Sequence, residues 1–145
     1  MARPTASWRS GSSRQRPVNI FFDVDQTLLS LDGGLRPGVR DVFQRLTDDG
    51  HTLYVWSGNG IRWDFVDRYQ LRESVSGCFF KPLYNFWQAL QRSNMPVLPD
   101  ACVDDAPEVV EAFGGVVVSP YGMADPHDTE MERVYHILSQ RGAPR

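Results

Sequence analysis

At 145 residues the chain is long enough to bury one sizeable core and too short for two ordinary domains. Its 41% apolar and 23% charged residues are those of a globular protein, and no apolar run approaches the roughly 18 residues needed to cross a bilayer, so a membrane protein is not expected. The formal charge of −3 hides an asymmetry: without the four arginines of the first 17 residues, 11 basic face 18 acidic residues, a balance near −7 that argues against a nucleic-acid-binding face.

In chain order, "MARPTASWRSGSSRQRP" (1–17) is rich in Arg and Ser, has no acid and lacks the apolar core of a secretory signal, so an unfolded basic tail is expected. Organelle import or loose polyanion contact also fits that composition. "VNIFFDVD" is a short β-branched and aromatic run of the kind found in a strand buried on both faces. "RPGVRDVFQRLTDDG" places Val39, Val42, Phe43 and Leu46 at helical spacing, with Pro37 near its start and Gly50 past its end. "TLYVWSG" predicts a second strand, and "IRWDFVDRYQL" a helix with Ile61, Phe65, Val66 and Tyr69 on one side. "GCFFK" predicts a strand and "PLYNFWQALQRSN" a helix opened by Pro82. "VLPDACVDD" reads as a strand, "PEVVEAF" as a short helix, "GVVVSP" as the last strand and "DTEMERVYHILSQR" as the closing helix.

This alternation predicts an α/β fold, a three-layer α/β/α sandwich around a mostly parallel sheet, forming a single domain over 18–145. Cys78 and Cys102 fall in strands without metal-ligand spacing, and His51, His127 and His136 form no zinc pattern. Reduced core cysteines and a cytoplasmic location are expected.

In parallel sheets ligands sit at the carboxyl ends of the strands. Here the strands stop on Asp23 and Asp25, on Ser57, on Lys81, and on Asp104 and Asp105. One strand ending on Asp means little, because strands commonly hand over to loops through such residues. Four in order supply a carboxylate cluster for a hard divalent cation, a hydroxyl donor and a fixed positive charge. Lys81 is also the sole lysine among 15 basic residues. A compact ammonium enters a narrow site that a planar guanidinium does not fit.

These residues resemble the haloacid dehalogenase superfamily of Mg²⁺-dependent phosphohydrolases, whose four motifs match in order as "FFDVDQT", "LYVWSG", Lys81-Pro82 and "CVDD", over residues 18 to about 120. The superfamily most often has Gly where this chain has Gln26, a hint about subgroup. The resemblance implies Asp23 as nucleophile, Asp25 as general acid and base, and an aspartyl-phosphate intermediate. It implies that Ser57, with the backbone N–H groups of Gly58 and Asn59, binds phosphoryl oxygens, and that Lys81 balances charge in the transition state. Mg²⁺ would lie among Asp23, Asp25, Asp104 and Asp105, with Asp25 offering its backbone carbonyl. Neighbouring side chains on extended backbone diverge, so one of the last two is the direct ligand. Asp105 is the preferred choice, with Asp104 orienting Lys81 or a metal-bound water, and the reverse stays open. Thr27 is expected to brace the loop. The acidic residue at position 25 favours phosphoryl transfer over dehalogenation.

Superfamily members that act on small metabolites commonly carry an inserted cap, for which the two motif gaps here leave no room. A capless site goes with bulky or macromolecular phosphorylated substrates, or with a lid borrowed in an oligomer. "LSLDGGL" is either a small flap or an ordinary turn. Arg36 and Arg62 are read as solvated surface rather than as anchors for a second anion, and Trp63, Tyr84, Phe86 and Trp87 as packing rather than a stacking platform. Two alternatives stand beside a phosphomonoesterase: a phosphotransferase or mutase, and a non-catalytic phosphate-sensing or partner-binding module.

Overall fold

A computed structural model describes residues 16–141. The basic tail expected over 1–17 lies outside the described residues except for its last two positions. The elements alternate without exception: β1 (Asn19–Asp23), α1 (Val39–Asp48), β2 (Thr52–Ser57), α2 (Trp63–Arg68), β3 (Val75–Phe80), α3 (Phe86–Arg92), β4 (Ala101–Asp104), α4 (Pro107–Phe113), β5 (Gly115–Val117) and α5 (Glu130–Arg141). The five strands form one sheet in the order β3-β2-β1-β4-β5, and every pairing is parallel. The α/β fold is therefore as the alternation predicts. Among the described residues no helix is long and apolar enough to cross a membrane.

Side chains of β1 divide by the two-residue period of a strand. Ile20 and Phe22 enter an apolar cluster with Val42 and Phe43 of α1, Phe65 of α2 and Leu138 of α5. Phe21 enters a second cluster with Trp56, Leu90 of α3, and Val109 and Phe113 of α4. A strand with both sides in apolar clusters needs the continuous hydrophobic run that "NIFF" supplies.

Register brings the strand ends together. Phe22 pairs with Val103, so the next residues, Asp23 and Asp104, end side by side. Asp23 pairs with Trp56, and Ser57 with Phe80, the residue before Lys81. Central β1 has β2 on one side and β4 on the other, so the strand order reverses at β1, where parallel sheets open a crevice.

Several expected boundaries move. α3 begins at Phe86, not at Pro82. Lys81 N–H still donates to the Ser57 carbonyl (2.9 Å) as a strand extension, and Asn85 takes a left-handed φ of 49° that breaks any helix running from Pro82. Pro82 thus ends a strand rather than opening a helix. β4 starts at Ala101, not Val97: Pro99 has no N–H to give a ladder, and the Asp100 carboxylate instead accepts the Asn19 N–H (2.8 Å). Ile61 precedes α2 and is 54% exposed, so it is not part of the helix's buried side.

One close approach fixes the far strand. Gly115 has φ 129°, and a Cβ there would sit 1.9 Å from the Cys102 carbonyl oxygen. β5 can therefore lie against β4 in this register only because residue 115 lacks a side chain.

Candidate active site

The turn after β1 is built around Val24, whose carbonyl receives the N–H groups of Thr27, Leu28 and Leu29. Gln26 lies between with φ 66°, a left-handed conformation that costs about 1 kcal/mol or more in a residue with a Cβ. This backbone shape is the physical reason glycine suits the position. Gln26 is held there by its N–H to the Leu29 carbonyl and by the Tyr121 N–H on its own carbonyl, both at 2.7 Å.

Around this turn the polar residues converge. Lys81 Nζ lies 2.9 Å from Asp23 Oδ1 and 3.0 Å from Asp104 Oδ2, bridging the ends of β1 and β4. The second Asp104 oxygen accepts the Ala106 N–H at 2.9 Å. Thr27 Oγ1 stands 3.0 Å from Asp23 Oδ2 and 3.3 Å from Asp105 Oδ1, with one proton to share, and it accepts the Asp105 N–H at 3.1 Å. Thr27 is thus a cross-tie between two strand ends as well as a brace of its own loop.

One oxygen each of Asp23, Asp104 and Asp105 lies within 4.8 Å of the others. Lys81 pairs with two of these carboxylates, Asp23 and Asp104, so the ionised cluster together with its ammonium is two charges short of neutrality, the charge of one divalent cation. All-oxygen donors match a hard ion such as Mg²⁺. The electrostatics agree with that deficit. Burial, then repulsion from Asp104, pushes Asp23 up to about 7 despite Lys81 and Thr27. Burial also raises Asp104, against the pull of Lys81. Burial by itself would lower Lys81, but Asp23 and Asp104 outweigh it and hold the ammonium above its usual range.

Of the four residues expected at the metal, Asp23, Asp104 and Asp105 bring carboxylates together, while the side chain of Asp25, expected there through its backbone carbonyl, lies outside this cluster. It turns to the β2 side, where Oδ2 accepts from Asn59 Nδ2 (2.8 Å), Arg62 Nη1 (2.8 Å) and Ser57 Oγ (3.3 Å). Partial burial acts to raise its pKa, but Asn59, Arg62 and Ser57 together outweigh burial and hold it below the ordinary carboxylate range. Ser57 Oγ also accepts the Asn59 N–H at 3.0 Å. Gly58 lies close under Leu83, whose terminal methyl a Cβ there would meet at 2.9 Å.

Two arginines read as surface are nothing of the kind. Arg62 forms the Asp25 ion pair, and its side chain is only 17% exposed. Arg36 is 1% exposed: its guanidinium pairs with both Asp128 oxygens (2.8 and 3.0 Å), donates to the Thr27 carbonyl (3.1 Å) and stacks over Tyr121 at 4.9 Å. A weak sequence signal existed for Arg62, five residues past Ser57 on the same strand-to-helix connection. For Arg36 there was none, because its partner is 92 positions away. Tyr84 is not packing either, being 73% exposed, whereas Trp63 and Phe86 pack against the two clusters and Trp87 meets Phe113 edge-on.

The "LSLDGGL" segment is a hairpin with several ties. Leu29 bridges Leu35, the Leu31 N–H donates to the Gly122 carbonyl (2.8 Å), and Tyr69 Oη donates to the Gly33 carbonyl (2.5 Å). Ser30 and Asp32 are also hydrogen-bonded to each other. The connections from β1 to β2 and from β2 to β3 each carry one helix. Compared with known proteins, the chain matches no protein-family model and no curated protein sequence.

Proposed function

We propose that the chain is a divalent-metal-dependent phosphomonoesterase working through an aspartyl-phosphate on Asp23, in line with its resemblance to haloacid dehalogenase-type phosphohydrolases. The observation that carries this reading is the division of the carboxylates: Asp23, Asp104 and Asp105 gather together, the first two on the Lys81 ammonium, while Asp25 stands apart on its own cation. A plain cation-binding site has no need for a separately tuned fourth carboxylate.

When bound, Mg²⁺ held by Asp23, Asp104 and Asp105 would neutralise the cluster and the phosphoryl oxygens facing it. Asp23 attacks phosphorus, its O–P bond forms, and the bond from phosphorus to the leaving oxygen breaks as that oxygen takes a proton from Asp25. Water then attacks the same phosphorus, gives its proton to Asp25, and the carboxylate of Asp23 is released. The contacts of Asp25 favour its ionised form, the one that accepts water's proton. Its protonated form is promoted once Ser57 and Asn59 turn from Asp25 to the phosphoryl oxygens, leaving it fewer donors. Lys81 stays on Asp23 and Asp104, fixing the nucleophile's direction and offsetting charge as it builds.

The test is hydrolysis of a generic aryl phosphate. Activity is expected with Mg²⁺, is lost on chelation, and falls by roughly 10⁴-fold or more in Asp23→Asn. If purified protein splits none with any divalent ion, a phosphate-binding module becomes the better reading.

A further inference from the structure

The described residues include nine exposed large apolar side chains, and their placement is uneven. Seven of them, Leu31, Ile61, Phe80, Leu83, Tyr84, Val117 and Met123, stand on strand ends or on the connections that leave strands, the same end as the carboxylates. Only Leu98 stands on a connection that enters a strand. A charged centre is thus bordered by an apolar rim.

On the β3 side that rim deepens into a groove of about 580 Å³, lined among others by Phe80, Pro82, Leu83, Tyr84, Leu90 and Met95. Its size is in the usual range of small-molecule sites. None of the reactive carboxylates lines it, but Phe80 and Pro82 flank Lys81 in the chain. Leu83 meanwhile lies against Gly58 of the expected phosphoryl loop. The groove therefore begins where the reactive centre ends, and a molecule held by its phosphate at Ser57 and Lys81 has this apolar wall beside it. Two exposed rings, Phe80 and Tyr84, offer faces and edges to another ring.

We propose that this groove receives the body of the substrate, and that the chain selects phosphomonoesters of apolar aromatic alcohols over compact or polar ones. The inference rests on the phosphomonoesterase reading and deepens it by naming the leaving group's chemistry. The groove adjoins the site through Leu83, which lies against Gly58, and through Phe80 and Pro82 on either side of Lys81.

The experiment compares phenyl phosphate with 4-biphenylyl phosphate, whose leaving phenols are of similar acidity, so that a difference reports binding beyond the reacting bond. The larger ester is expected to have a kcat/KM higher by about tenfold, mainly through KM. Tyr84→Ser, at a position 73% exposed and so compatible with folding, is expected to shrink that ratio several-fold. A ratio near one in the native protein, or one that Tyr84→Ser leaves unchanged, overturns the inference while phenyl phosphate hydrolysis keeps the reading beneath it. Failure to split either ester removes both. Sedimentation of the same two proteins supplies the other overturning result: a native dimer that Tyr84→Ser dissociates with no change of ratio would assign the groove to a second copy of the chain.

Discussion

Arg36 and Lys81 are both cations withdrawn from water, with side chains 1% and 12% exposed, and both tie together segments far apart in the chain. Arg36 meets a single carboxylate, Asp128, in a two-pronged pair, and spends a further N–H on the Thr27 carbonyl. Lys81 meets two carboxylates with a third beside them. Charge is balanced at the first site and deficient at the second. Balance is what a structural lock needs, because a buried charge without its partner costs several kcal/mol. Deficiency is tolerable where something arriving later completes it. The difference shows how two buried ion pairs on one fold, joined through Thr27, serve unlike purposes.

The largest expected effect falls on the deficient site. Lys81→Met should lower kcat/KM for an aryl phosphate by about 10²–10³-fold. Lys81→Arg should not rescue it, because the planar fork cannot take the ammonium's place between Asp23 and Asp104. Steady-state kinetics check both, and a variant within a few-fold of native would remove Lys81 from the chemistry.

At the balanced site the loss is expected in stability instead. Arg36→Met leaves Asp128 without its cation and the Thr27 carbonyl without its donor, a destabilisation of about 3 kcal/mol measured by denaturant unfolding. Arg36→Lys should recover part of it, keeping the charge but not the two-pronged geometry. Equal stability in all three proteins would contradict the lock.

A smaller effect separates the sites by pH. Asp23 titrates near 7 in the folded chain against an ordinary 3.8, so between pH 4 and 7 the folded state holds a proton that the unfolded state has lost. Stability of the metal-free protein should therefore fall as pH rises through that window and level off above 7, by on the order of 2 kcal/mol between pH 5 and 8. Mg²⁺ prefers the ionised cluster, so its thermal stabilisation should be greater at pH 8 than at pH 5. A gain independent of pH would show that the ion binds elsewhere.

Much of this architecture was legible in the sequence because a buried parallel strand announces itself. "NIFF", "LYVW" and "ACV" are too continuously apolar for anything else of their length, and each stops on a residue of the candidate site. Hence the positions of Asp23, Ser57, Lys81 and Asp104 could be placed at one end of the sheet before any coordinates. What stayed hidden was long-range pairing. Nothing local distinguishes Arg36, whose fate is decided by Asp128, from an exposed arginine such as Arg72. Nor does helical periodicity tell a proline that opens a helix from one that closes a strand, the distinction on which Pro82 turned. The partners that hold the Asp25 side chain, Arg62 and Asn59, likewise stayed hidden, because a strand-end pattern does not orient them.

The contact between Gly115 and the Cys102 carbonyl makes the far edge of the sheet intolerant of change at a spot that touches no reactive group. In a saturation library scored for activity, codon 115 should return glycine almost alone, as strictly as the codon for Asp23. A survey by sequence variation would then rank the two together, although one is proposed to form a bond to phosphorus and the other guards only the width of a hydrogen atom.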